Sequence, residues 1–141
     1  MAEHPLFSVS VVTPGGPAFD GDAEMLIVPG AAGEIGVLAR HAPLVAMLGA
    51  GSTRVHIGDG EVRAFATGPG FFQMLEDRAI ALVDDAVPAG EIDEARARRQ
   101  LEEARAELAR LEAGESTADR WQLEQRLRHA ENQLSVSGHA E

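Results

Sequence analysis

The chain has 141 residues, no cysteine and no lysine, and a formal net charge of -11. That length supports one modest core, or one core with an appendage, and the missing cysteines exclude a disulfide-stapled or thiolate-zinc fold and fit a reducing compartment. An acidic surface repels phosphate backbones and anionic headgroups, so nucleic acid and direct lipid contact are disfavoured and the expected partners are proteins.

Met1, Ala2, Glu3, His4 and Pro5 form a short acidic start, unlike a secretory signal or an arginine-rich transit peptide. No apolar run approaches the ~20 residues of a membrane helix, so no membrane insertion is expected. Across residues 6–85 short alternating runs are broken by glycine, proline and aspartate. Phe7, Val9 and Val11 alternate with Ser8 and Ser10; Val62, Ala64 and Ala66 alternate with Arg63 and Phe65; Ile80 and Leu82 alternate with Ala81 and Val83. Period two predicts half-buried strands. Turn signals at Pro14-Gly15-Gly16-Pro17, Pro29-Gly30, Gly58-Asp59-Gly60 and Gly68-Pro69-Gly70 are spaced as in a hairpin-rich antiparallel sandwich or flattened barrel. Ile57-Gly58-Asp59-Gly60-Glu61 is the clearest hairpin, because aspartate and glycine tolerate the positive φ of such a turn.

Composition changes after Val87-Pro88-Ala89-Gly90, where the chain fills with Ala, Leu, Glu and Arg, the residues of helices. The expected organisation is a β-sandwich domain over 1–87 and an antiparallel helical hairpin over 88–141. Leu101, Ala104, Leu108 and Leu111 repeat at helical spacing, as do Leu123, Leu127, Ala130 and Leu134. Gly114-Glu115-Ser116-Thr117 separates the two runs, with Ser116 placed to cap the second helix and Asp119 in its first turn. Ala104 and Ala130 bury little, which predicts a marginal hairpin in need of a partner. Trp121 sits off the second seam, either packed on a neighbour or free to anchor an interface.

The most constrained stretch is Gly33-Glu34-Ile35-Gly36-Val37-Leu38, running through Ala39-Arg40-His41-Ala42 into Pro43-Leu44. It reads as strand, tight corner and strand, presenting Glu34 and His41 from a defined backbone either as turn caps or as contacts. Neither is expected to catalyse. There is no G-x-S-x-G, no cysteine nucleophile and no paired histidine at metal-ligand spacing, so neither a catalytic residue nor a metal site is assigned. Asp93 is a natural helix N-cap and Ile92 is placed to staple against Ala97, so Ile92-Asp93-Glu94-Ala95-Arg96-Ala97 reads first as a helix start.

The segment from Gly33 to Leu44 resembles the G-E-L-G-x-x-x-x-H-A-P-L stretch of the epsilon subunit family of bacterial and chloroplast proton-translocating ATP synthases, which includes the mitochondrial delta subunit. Ser10-Val11-Val12-Thr13-Pro14, Ala66-Thr67-Gly68-Pro69-Gly70-Phe71-Phe72 and Ile92-Asp93-Glu94-Ala95-Arg96-Ala97 resemble further family segments in the same order. The resemblance implies a non-catalytic rotor subunit, peripheral on the cytoplasmic face of the bacterial plasma membrane, that links the gamma shaft to the membrane c-ring. It implies Glu34 facing the ring and His41, Pro43 and Leu44 near the shaft. The hairpin is implied to be permissive when folded on the sandwich and inhibitory when extended toward the alpha and beta catalytic subunits.

No cofactor is required by the resemblance, but regulatory ATP is implied for members with an I/L-D-x-x-R-A motif. Ile92, Asp93, Arg96 and Ala97 fill that motif here, with Arg126 and Arg128 in the expected region of the second helix and Val87 and Pro88 where a polar contact is wanted. Where relatives commonly carry Pro-Gly before the histidine, this chain has Ala39-Arg40, which predicts a looser and more positive corner. The competing expectation is an acidic β-sandwich binding module, unrelated to ATP synthase, that self-associates through its helices.

Overall fold

A computed structural model describes residues 4–137. Ten strands come first: β1 Phe7–Thr13, β2 Gly16–Ala23, β3 Met25–Gly30, β4 Gly33–Val37, β5 Leu44–Leu48, β6 Gly51–Gly58, β7 Glu61–Thr67, β8 Gly70–Leu75, β9 Arg78–Val83 and β10 Ala86–Pro88. A 3-10 turn over Ala89–Glu91 leads to two helices, α1 Glu94–Glu112 and α2 Arg120–Ser137. The fold is a β-sandwich, close to a closed barrel, followed by a helical hairpin.

The strand order is β10-β7-β6-β3-β5-β8-β9-β1-β2, with β4 paired to the other side of β3. β3 and β5 share only the Gly30–Leu48 pair, so the sheet bends there into two layers. The ladders are antiparallel except β1 against β9, which run parallel, a departure from the all-antiparallel sandwich expected of hairpin spacing. Phe19 of β2 meets Phe65 of β7 edge to face, with ring centroids 6.4 Å apart, and so ties the free edge back across the layers.

The core takes one face of each strand: Phe7, Val9 and Val11 from β1, Leu26 and Val28 from β3, Val55 from β6, Phe72 and Met74 from β8, and Ala79, Ala81 and Val83 from β9. Thr53 and Thr67 are also buried and bond to each other through their hydroxyls at 2.8 Å, which satisfies both groups away from water. In β7 the core side is Phe65 and Thr67. Ala66 is buried on the opposite side, in a small second cluster with Ala89 and Val136. The predicted β6–β7 hairpin turns on Asp59 at φ 54 and Gly60 at φ 79, both left-handed as that turn requires.

The helices pack through small residues. Ala97 and Ala104 of α1 and Leu123 and Ala130 of α2 are buried, while Leu101, Leu108, Leu127 and Leu134 are only half-buried. Asp93 caps α1 by accepting the Arg96 N–H at 3.0 Å. The cap of α2 differs from expectation: Asp119, not Ser116, accepts the Trp121 N–H at 2.9 Å. Ser116 lies in the connection, where its hydroxyl donates to Glu107 Oε1 at 2.6 Å and accepts the Ala118 N–H. Three residues closer to the helix, Asp119 reaches the first free amides and Ser116 does not.

Candidate functional site

The corner between β4 and β5 is built as a turn in which the His41 N–H donates to the Leu38 carbonyl at 3.2 Å. Arg40 occupies its third position with φ 66, the left-handed region a glycine or asparagine usually fills. Its N–H donates to the carboxylate of Asp77, in the β8–β9 turn. The corner is therefore pinned, where the Ala39-Arg40 pair had predicted a looser one. His41 is exposed, and its Nδ1 lies 2.7 Å from the Ala42 carbonyl, which only accepts, so Nδ1 carries the proton.

Glu34 projects from β4 and pairs with Arg54 of β6 at 3.0 Å, the two flanking β3 on the outside of its layer. Pro43 is exposed beside His41. Leu44 points the other way and packs half-buried against the core, opposite Met74. The structure thus brings His41 and Pro43 together at the corner, sets Glu34 apart on an ion pair, and gives Leu44 a packing role.

A larger surface lies on the outside of the β5–β8–β9 layer, where Met47 pairs with Phe71 and Phe71 with Leu82. These three side chains are 63%, 55% and 52% exposed, and Val45 and Leu75 extend the same face. Inside the same strands stand Ala79 and Ala81, so β9 turns its small residues inward and Ile80 and Leu82 outward. Apolar residues of this size are expected in the core, and a row of them in register on one exposed sheet face marks a contact surface. None of these residues was assigned a contact role from the sequence. The signal was there in β9, whose bulky and small apolar residues alternate, but alternation alone does not say which set faces in.

On the hairpin, the six-residue motif is used for helix initiation. Asp93 is the cap, Ala97 is fully buried, and Ile92 packs against the Ala66, Ala89 and Val136 cluster. Arg126 and Arg128 line a cleft of about 280 Å³ between α2 and the sandwich, with Thr67, Asp84, His129 and Asn132. Arg126 also faces Gln100 and Glu103 across the hairpin. Arg96 lies seven residues along α1 from Glu103, about 10 Å at the rise of a helix. Arg96 is exposed on the first turn of α1 and lines neither of these two clefts. Among the described residues no group of three His, Asp or Glu side chains is placed to hold a metal. No described helix is long and apolar enough to cross a membrane. Trp121 is 67% exposed, which removes the reading in which it packs on a neighbour.

Residues 6–89 match the family described as ATP synthase, Delta/Epsilon chain, beta-sandwich domain. The chain belongs to the epsilon-chain family of ATP synthases. It is 38% identical to the ATP synthase epsilon chain of Halalkalibacterium halodurans over 134 residues, 95% of this chain and 98% of that one. It is also 38% identical over 112 residues to the sodium ion specific ATP synthase epsilon chain of Propionigenium modestum, 79% of this chain and 81% of that one. Among solved structures it superposes on a chain of the Euglena gracilis mitochondrial ATP synthase, OSCP/F1/c-ring, with a TM-score of 0.80 at 24% identity, over 96% of this chain and 84% of the other. That likeness carries the fold across the helices as well as the sandwich. Membership of the family excludes a binding module unrelated to ATP synthases.

Proposed function

We propose that the chain is the epsilon subunit in the central rotor of a proton-translocating ATP synthase, peripheral on the cytoplasmic face of a bacterial plasma membrane and without catalytic activity of its own. The observation that carries this reading is the exposed row of Met47, Phe71 and Leu82. Full burial of an exposed apolar side chain gains about 1.5–3 kcal/mol, and these three, already about half covered, would each gain roughly half of that under a partner. In this reading the gamma shaft covers the row, while the corner at His41 and Pro43 and the edge at Glu34 face the shaft and the c-ring. Residues 1–87 carry the coupling. Residues 88–141 supply control, permissive when docked as here and inhibitory when extended toward the alpha and beta subunits. Within this control reading, regulatory ATP would be met by Arg96, Arg126 and Arg128 and would favour the docked hairpin.

The test is co-elution of the full chain with the gamma subunit of the same organism on a sizing column. A one-to-one complex is expected, and Phe71→Asp is expected to abolish it with circular dichroism unchanged. Unaltered binding by both Phe71→Asp and Met47→Asp would overturn the assignment of this face. The control reading is tested apart, by removing residues 89–141 from the reassembled complex. An unchanged rate of ATP hydrolysis would sink it.

A further inference from the structure

The helices touch the sandwich through a small part of α2. Val136 is buried against Ala66 and Ala89, with Ile92 beside them. Among the described residues, every hydrogen bond between a helix and a strand runs through one side chain. The Asn132 amide, through Nδ2, donates to the Gly51 carbonyl at 3.1 Å and to the Thr67 carbonyl at 3.3 Å. Gly51 and Thr67 are themselves partners across β6 and β7, so one amide spans the end of that ladder. Behind it the Thr67 hydroxyl donates to the same Gly51 carbonyl at 3.4 Å and meets the Thr53 hydroxyl in the interior. The acceptor end is therefore held by buried groups and the donor end by a single exchangeable side chain.

We propose that Asn132 is the clasp that docks the helical hairpin on the sandwich, and that loss of its two donated bonds releases α1 and α2 together as a unit. The apolar part of the joint is slight, a valine and an isoleucine against two alanines, and an open cleft runs beside it. Helix-to-helix contact does not pass through the joint: Ala97, Ala104, Leu123 and Ala130 bury one helix on the other. Undocking thus costs the clasp and the Val136 contact and leaves the hairpin paired. The inference gives a residue to the control reading above, but it concerns the free chain and stands or falls without the rest of the complex.

Chemistry singles out the test. Asn132→Asp keeps the shape and removes the donor, setting carboxylate oxygens against two carbonyl oxygens. A role in packing alone would survive that change; a clasp would not. The chain has no cysteine, so Gln73→Cys and Glu102→Cys place a pair of spin labels on the sandwich and on the hairpin without competing sites. In the parent chain one narrow distance distribution is expected. Asn132→Ala is expected to raise the undocked fraction about tenfold, the scale of one or two lost bonds, and Asn132→Asp to raise it further. Helical circular dichroism should stay at the parent level throughout. If Asn132→Asp instead unravels α2, Asn132→Ala decides: a second, broader distance population supports the clasp, and the parent distribution overturns it. A changed distribution with an unchanged rate of ATP hydrolysis in the reassembled complex would overturn the control reading and leave the clasp standing.

Discussion

The Asp77 carboxylate accepts the backbone N–H of Arg40, joining the β8–β9 turn to the corner that presents His41. Both residues pay for this in backbone conformation, Arg40 at φ 66 and Asp77 at φ 59. A left-handed residue with a β-carbon is disfavoured by roughly 1–2 kcal/mol. Arg40→Gly is therefore expected to stabilise the chain by about 0.5–1 kcal/mol in denaturant unfolding, less than the full strain because glycine adds freedom to the unfolded chain. Asp77→Ala removes the acceptor and keeps the strain, and should cost about 1–2 kcal/mol. Asp77→Asn retains an acceptor and tolerates left-handed backbone, so it should fall close to the parent. A loss of stability in Arg40→Gly would show that the turn is not strained.

The two glycines of Gly68-Pro69-Gly70 are required for different reasons. A β-carbon at Gly70 would overlap the Leu82 carbonyl, which is backbone in the neighbouring strand and has nowhere to go. One at Gly68 would overlap the Asp84 carboxylate, which is the free end of a side chain. Gly70→Ala is expected to cost about 3 kcal/mol, the upper range for overpacking, and Gly68→Ala nearer 1 kcal/mol. Adding Asp84→Ala to Gly68→Ala should recover most of the smaller loss. Equal costs at the two positions, read by thermal unfolding, would contradict this geometry.

Helix α2 depends on a cap that sequence spacing misplaced by three residues. Asp119→Ala should lower stability by about 1 kcal/mol and shorten the helix at its start. Ser116→Ala should leave that first turn intact, since Ser116 bonds within the connection and to Glu107. Amide exchange at Trp121 and Gln122 separates them: faster in Asp119→Ala, unchanged in Ser116→Ala.

Trp121 is the only tryptophan, and the chain has no tyrosine, so its fluorescence reports one place. With 67% of it exposed, the free chain should show the red-shifted emission of a solvated indole and full access to acrylamide. A blue-shifted, protected indole in the free chain would place the start of α2 against another surface.

Much of the fold was legible because strand period, turn residues and the change of composition near residue 88 all point the same way. Asp59-Gly60 gave its hairpin directly, and Asp93 its cap, since each acts over a few neighbouring residues. The corner was legible in outline only. That Arg40 takes the conformation of a glycine and is held by Asp77 depends on two turns meeting across 37 residues, which no local pattern records. The same holds for Leu44, whose inward direction follows from its register with Met74. Asn132 gave no sign at all, because a polar residue on an amphipathic helix looks the same whether it faces water or a strand end.

The outer apolar face was the largest omission, and its cause yields the last prediction. Phe71 and Phe72 are consecutive, so a strand must put them on opposite faces, and nothing local decides which goes in. Phe72 is fully buried between Ala46 and Ala81 in the ladders, while Phe71 is 55% exposed between Met47 and Leu82. Phe72→Ala should therefore cost about 3–5 kcal/mol through the cavity it leaves. Phe71→Ala should stay within about 0.5 kcal/mol of the parent, as an exposed side chain does. Binding to gamma should rank them the other way, with Phe71→Ala weakening the complex in a fully folded chain. Denaturant unfolding of the two single variants, beside their co-elution with gamma, checks both orders at once. If Phe71→Ala were the more destabilising of the two, the register of β8 would be shifted by one residue, and the exposed row would consist of Met47, Phe72 and Leu82 instead.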